Sequence, residues 1–201
     1  MQERTPEKML TLFQEEQKQI DKKIRTLQQY KDMLEKRIEL TKLADVITVG
    51  ELAFIQQEKK PIIIGKKINQ QYNEALNDFY SLIDQQQIVQ GFPIGAIIGK
   101  NELAKGEFSN FSHFYINKSI EDYNQVSIKP EGWYAVMYAY CDYNKTEKLY
   151  RKMLNGLAEK GYELDGDAYE EYIIDEVAEK NPEKYLVKVM IKVKNENEKI
   201  S

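Results

Sequence analysis

Near the N-terminus the apolar residues Leu10, Phe13, Ile20, Ile24, Leu27, Leu34 and Ile38 fall on alternating three- and four-residue steps, and Gln17 and Lys31 take two polar slots of the same heptad frame. Thr5-Pro6-Glu7 supplies a start: a threonine cap, a proline where the missing N–H costs nothing, and an acid facing the positive end of the helix dipole. No glycine or further proline follows until Gly50. The pattern predicts one long helix within residues 1–44, about 35 residues and so roughly 50 Å in length, more than a small domain covers. Glu15, Glu16, Asp21, Lys22, Lys23 and Arg25 keep its other faces wet. So narrow a seam is expected to pair with a second copy of the helix; the alternative is a surface helix lying on its own domain.

After Asp45 the period turns extended. Residues 46–55 and 61–67 read as strand, with a polar turn or bulge at 56–60, and Asn69 can cap a helix whose apolar face is Tyr72, Leu76, Phe79, Tyr80 and Ile83. Residues 92–99 and 113–120 read as two more strands. Beyond a connector at 121–132 the order repeats. Residues 133–143 read as a strand, and Asn144-Lys145-Thr146-Glu147 as a capping box. A helix with Leu149, Met153, Leu154 and Leu157 inward stops at Gly161, a strand follows Asp165-Gly166-Asp167, and another spans 185–193 with Val187, Val189, Ile191 and Val193 inward. Two strand-helix-strand-strand units, at about 45–120 and 131–195, predict a duplicated α+β domain over 45–201. Helices covering one face of each unit would leave the other faces looking at each other across a cleft.

Composition narrows the chemistry. The formal net charge of -4 gives no basic field to favour nucleic acid. One cysteine and one histidine in 201 residues argue against a disulfide, a Cys/His metal cluster or a Cys–His catalytic pair. No apolar run reaches bilayer length and no signal-peptide core follows Met1, so the cytoplasm is the expected compartment. His113 reads as an ordinary strand-edge histidine, and Cys141 as buried and inert. Gly95, Gly99 and Gly106 lack the Gly-Lys-Ser/Thr of a phosphate loop, and no cofactor fingerprint occurs.

In the strand at 133–143, Tyr134, Val136, Tyr138 and Tyr140 share one face while Ala135, Met137, Ala139 and Cys141 share the other. A row of rings with polar tips suits the wall of a pocket for something flat and partly apolar; core packing is the competing account. Fourteen tyrosines against seven phenylalanines favour the pocket, because many hydroxyls need partners. Tyr72, Phe79 and Tyr80 read as helix core, and Phe111 and Phe114 as rim.

The capped Thr-Pro-Glu helix with Gln17-Lys18-Gln19-Ile20-Asp21-Lys22-Lys23-Ile24, the run 169–177 (Tyr-Glu-Glu-Tyr-Ile-Ile-Asp-Glu-Val) and the run 182–189 (Pro-Glu-Lys-Tyr-Leu-Val-Lys-Val) together resemble MerR-family transcription regulators of the multidrug-sensing, BmrR-like kind. The resemblance covers the whole chain, as the family's dimerisation helix followed by its GyrI-like (SOUL-like) effector-binding domain. Family members carry a winged helix-turn-helix ahead of that helix, which the four residues before Thr5 are too few to form. Thr5-Pro6 sits where the family's helix begins, which favours a trimmed regulator over one that works without such a head.

The resemblance implies a hydrophobic, cationic effector and no metal or cofactor, with DNA reached only through the missing head. It places Glu170, with Tyr172 on the same face, where a carboxylate among aromatic rings meets cations. Tyr134, Tyr138 and Tyr140 are expected as the walls of that pocket. The plain alternative for Glu170 is a surface glutamate paired with a lysine, as Glu171 on the opposite face suggests. Hydrolysis of small electrophiles with Glu170 as base is the rival activity, and a stand-alone partner-binding protein is a third reading.

Overall fold

The computed structural model describes residues 5–69, 71–117 and 126–195. Helix α1 runs from Pro6 to Val46, with the Thr5 side chain accepting from the Lys8 amide at its start. The extended pattern expected from residue 46 yields to helix for one turn more and then to a loop. Leu40, Ala44 and Ile47 explain this, because they pack on Ile173 and Leu186 and hold the chain helical up to the domain surface.

The elements that follow are β1 (Ala53–Gln57), β2 (Lys60–Ile64), α2 (Tyr72–Gln85), β3 (Ile94–Ile98), α3 (Lys100–Lys105), β4 (Phe111–Ile116), β5 (Val126–Lys129), β6 (Gly132–Tyr140), α4 (Glu147–Glu159), β7 (Tyr162–Ile174) and β8 (Leu186–Asn195). All eight strands form one antiparallel sheet in the order β1-β6-β8-β7-β3-β4-β2-β5. Read from the β7–β3 junction outward, each half runs second strand, third strand, first strand of a strand-helix-strand-strand unit, so the duplication is an approximate two-fold. Each half lends an outer strand to the other: β1 pairs with β6, and β5 with β2.

Several boundaries differ from the sequence reading. The stretches at 46–55 and 61–67 do not continue one another, since β1 and β2 lie in opposite halves of the sheet. Strand β5 occupies part of the expected connector, whose residues 121–125 lie outside the described residues, as do 118–120 of the expected fourth strand. Gln71, not Asn69, caps α2. At α4 the capping box is replaced by a single 3-10 turn over Tyr143–Lys145, where the Asp142 side chain accepts from the Asn144 amide. Strand β7 begins before the Asp-Gly-Asp stretch and bulges across it. Helix α3 was not expected; its left-handed stop is Gly106.

Cross-strand partners share a face, so Ala96, Glu170, Val189 and Met137 lie on one side of the sheet, and Ile97, Tyr169, Met190 and Val136 on the other. Both α2 and α4 cover the first side: α4 through Leu149, Tyr150, Met153 and Leu157, and α2 through Ala75, Phe79 and Ile83. The other side curls onto itself. Lys129 of β5 reaches Met190 of β8 at 3.2 Å, although strands five places apart in a flat sheet would be roughly 24 Å away.

Gly95 lets the two halves close. A Cβ there would lie 2.5 Å from both the Glu170 carbonyl oxygen and the Tyr115 ring. Gly95→Ala is expected to destabilise the fold by roughly 1–3 kcal/mol through overpacking, read as a lower urea midpoint with unchanged slope.

Candidate functional site

Glu170 sits at the centre of the helix-covered side, opposite the small Ala96 of β3, with its side chain fully buried. Its Oε2 accepts a hydrogen bond from the Tyr172 hydroxyl at 3.1 Å. Its Oε1 is buried without a hydrogen-bond partner among the described residues, and so is the nearby hydroxyl of Tyr150. Thr146 and Tyr150 bring their hydroxyls toward the carboxyl from the first turn of α4. Burial pushes the Glu170 carboxyl up to about 7, against the opposing pull of the Tyr150, Tyr172 and Thr146 hydroxyls. An acid at this position is therefore poised between neutral and charged, and among the described residues it forms no ion pair.

Rings enclose it. Phe108 stacks on Tyr150 at 5.2 Å, Tyr143 lies 4.2 Å from Tyr172 and 4.8 Å from Tyr185, and Tyr72 meets Phe114 edge-on at 5.2 Å. Above Tyr172 opens a cavity of about 810 Å³, walled by Tyr72, Tyr80 and Leu76 of α2, Phe92 of the following loop, and Tyr143 and Val177. Burial first, and the charge of Glu170 second, raise the Tyr72 hydroxyl to about 12. Tyr72 and Tyr172 thus stand between the cavity and the carboxylate. The mouth is acidic: Glu176 accepts from the Tyr143 hydroxyl at 2.8 Å, and Asp175 is held by Arg37 of α1 at 2.6 Å.

The structure separates the residues expected to share one pocket. Glu170 and Tyr172 lie together on the helix side. Tyr134, Tyr138 and Tyr140 point to the opposite face, so they cannot wall a pocket that contains Glu170. Tyr134 is buried in the curl and donates its hydroxyl to the Pro130 carbonyl at 2.7 Å, Tyr138 is half-buried beside Leu186, and Tyr140 is exposed. The cleft expected between the bare sheet faces is filled at one end by the packing of Tyr115, Tyr134 and Tyr169, and beyond them a cavity of about 840 Å³ stays open between the halves, lined by Ile62, Ile97, Ser127, Asp165, Tyr169 and Lys192.

The rings at Glu170 come instead from Tyr72, Tyr143 and Tyr150, which sequence reasoning did not select. One signal was available: Thr146, Tyr150, Met153 and Leu157 fall on one helical stripe, which carries Tyr150 to the sheet. Phe111 lies 6.0 Å from Tyr72 but lines the cavity on the other side of the sheet, and Phe114 is buried, so neither is at the rim of this one. His113 contacts Ser112 at 3.1 Å, and Cys141 is half-buried with its thiol pushed up to about 11 by burial. Among the described residues no group of His, Cys, Asp and Glu could hold a metal ion, and no helix is long and apolar enough to cross a membrane.

The raised carboxyl couples folding to pH. With about 7 in the folded protein against an ordinary 4.5, the folded state holds the extra proton, so this group's contribution is complete below 4.5 and is lost as pH rises through 7. The loss amounts to roughly 3 kcal/mol at full ionisation. Glu170→Gln is expected to remove that slope and to exceed the parent in urea midpoint above pH 7. A parent stability that is flat from pH 5 to pH 8 would contradict the raised acid.

Comparison with known proteins identifies the domain. Residues 51–194 match the family described as the GyrI-like small molecule binding domain, and the chain belongs to it. It is 28% identical over 196 residues to the multidrug-efflux transporter 2 regulator of Bacillus subtilis (strain 168), covering 95% of this chain and 71% of that protein. Among solved structures, a DNA complex of EcmrR aligns with a TM-score of 0.54 at 14% identity, covering 96% of this chain and 78% of that one. A hydrolase from Listeria innocua aligns with a TM-score of 0.50 at 13% identity, covering 75% of this chain and 95% of the other. The chain is thus a GyrI-like small molecule binding domain, with a fold that a DNA-bound EcmrR and a Listeria hydrolase share.

Proposed function

We propose that the protein senses a hydrophobic, cationic small molecule in the cavity between α2 and the end of β7, in the cytoplasm, and works as a dimer through α1. One observation carries this reading: Glu170 is buried with an oxygen unpaired, below an 810 Å³ aromatic cavity whose mouth is itself acidic. A lipophilic cation would give that carboxylate the partner it lacks, and ring faces would each add roughly 0.5–2 kcal/mol. Entry requires Tyr72 of α2 and Tyr172 of β7 to swing aside, so the ligand selects a second arrangement of these two side chains. Arg37, which also donates to the Gly91 carbonyl at 2.9 Å, ties α1 to the cavity mouth. Helix α1 is the element able to carry a change there to a DNA-binding head. Calorimetric titration with tetraphenylphosphonium is expected to show one saturable site per chain that strengthens as pH rises; the absence of saturable heat at every pH would overturn the reading.

A second reading rests on the same carboxyl, because an acid near 7 in a desolvated site suits a general base. Continued turnover of a small electrophile in molar excess over protein, lost in Glu170→Gln, would favour hydrolysis; stoichiometric binding alone would favour the sensor.

A further inference from the structure

Next to Glu170 on β7, Glu171 points to the opposite face of the sheet and collects donors from every side. Lys188 Nζ lies 2.9 Å from it, Asn117 Nδ2 2.9 Å, Lys129 Nζ 3.1 Å and the Tyr115 hydroxyl 3.4 Å. Burial acts to raise this carboxyl, but Lys188 and Lys129 hold it far below the usual range.

The charges around it do not balance. Among the described residues two ammonium groups share one carboxylate, and Lys129 is only 2% exposed. Its further neighbours are the Met190 sulfur at 3.2 Å and the rings of Tyr169 and Tyr134 at 4.4 and 5.5 Å, which soften a positive charge without cancelling it. Burial lowers the Lys129 ammonium, and Lys188 and Lys60 add to this against the pull of Glu171.

A cavity of about 340 Å³ between α1 and the sheet opens onto this pair. Lys36, Glu39 and Leu40 of α1 form one wall and Lys60 of β2 another. Lys36 is matched by Glu39 at 2.9 Å, whereas Lys60 is exposed and no described carboxylate pairs with it. Four ammonium groups therefore line a space that holds two carboxylates, with the excess on the sheet side.

We propose that this cavity is a second ligand site, on the face opposite Glu170, that takes a small oxyanion: the carboxylate or phosphate group of a small molecule. Its oxygens supply the charge that Lys129 and Lys188 lack, since a buried ion left unmatched is costly and ammonium groups bind oxyanions as point charges. Because α1 contributes Lys36, the bound anion also fastens α1 to the sheet. The two sites lie on adjacent residues of β7, so any coupling between them acts equally in both directions.

The test is calorimetric titration of the full chain with inorganic phosphate and, separately, with succinate, at constant chloride. One saturable site per chain is expected for at least one of the two; phosphate alone or succinate alone assigns the preferred group, and both together assign a general oxyanion site. Lys60→Gln, at an exposed position, is expected to weaken binding roughly three- to tenfold. Lys129→Met, which keeps the apolar stem against Met190 and the rings, is expected to abolish it. No saturable heat with either anion, or undiminished affinity in Lys60→Gln, overturns the proposal, and the latter decides the matter even if the Lys129 variant does not fold.

Discussion

Tetraphenylphosphonium is expected to bind Glu170→Gln roughly tenfold or more weakly than the parent at about pH 8, because the variant keeps the cavity and its rings but has no charge to pair. The gap should close toward about pH 5. There the parent carboxyl, which titrates near 7, is itself neutral, and each pH unit below that value reduces cation affinity by up to about tenfold. The sign follows from competition between proton and cation for one carboxylate: affinity rises with pH up to about 7 and then levels. Calorimetry in two buffers of different ionisation enthalpy should also register proton release on binding near pH 6. A neutral tetraaryl analogue should show none of this dependence. Equal affinity of parent and variant at pH 8 would remove Glu170 from the mechanism, and the variant's expected gain in stability at that pH keeps misfolding from imitating the result.

Glu170 could be singled out from the sequence because its neighbourhood in the chain is distinctive: two adjacent acids on a strand between tyrosines, one for each face. What encloses it could not, because strand alternation says which residues share a side without saying which side the helices will cover. Tyr134, Tyr138 and Tyr140 were read correctly as sharing one side of β6. The pairing of Tyr138 with Lys188, and of Lys188 with Glu171, sets that side against Glu170. That relation depends on the register of three strands, which no local pattern fixes. The curl hid the rest. A flat duplicated sheet would have left a bare tyrosine face, whereas β5 folds Lys129 over Tyr134 and Tyr169 and narrows it to a cavity beside Tyr169. Helix positions were legible from their period, and α1 was nearly complete in the heptad pattern, since its seam and its caps are local properties. Its last turn was not, since it is held by Ile173 and Leu186 far along the chain.

That helix yields the other large effect. Ile24→Glu combined with Leu27→Glu is expected to convert a dimer into a monomer, seen as a halving of the mass from light scattering, while the domain stays folded. Of the two apolar stripes on α1, the domain uses only one, through Met33, Arg37, Leu40 and Ala44. The other remains in solvent: Leu10, Phe13, Ile20, Ile24, Leu27, Leu34 and Ile38 are 53–66% exposed. Among the described residues the first side-chain hydrogen bond from α1 to the domain is at Gln29, which accepts from the Val89 amide at 3.0 Å, and residues 10–25 of the 41-residue helix are all exposed. An isolated stretch of that kind is marginal in water, and burying a large aliphatic side chain is worth roughly 1.5–3 kcal/mol. Pairing the seam with a second copy therefore stabilises both the helix and the assembly. Two buried glutamates facing two more across the seam would cost more than the remaining apolar contacts return. In the proposed dimer Gln17 and Lys31 would have the opposite role, as polar residues that fix register, so Lys31→Leu is expected to tighten it while admitting other registers. A parent chain that is monomeric at every concentration, or a Glu double variant that remains dimeric, would show that the seam serves something other than a second copy.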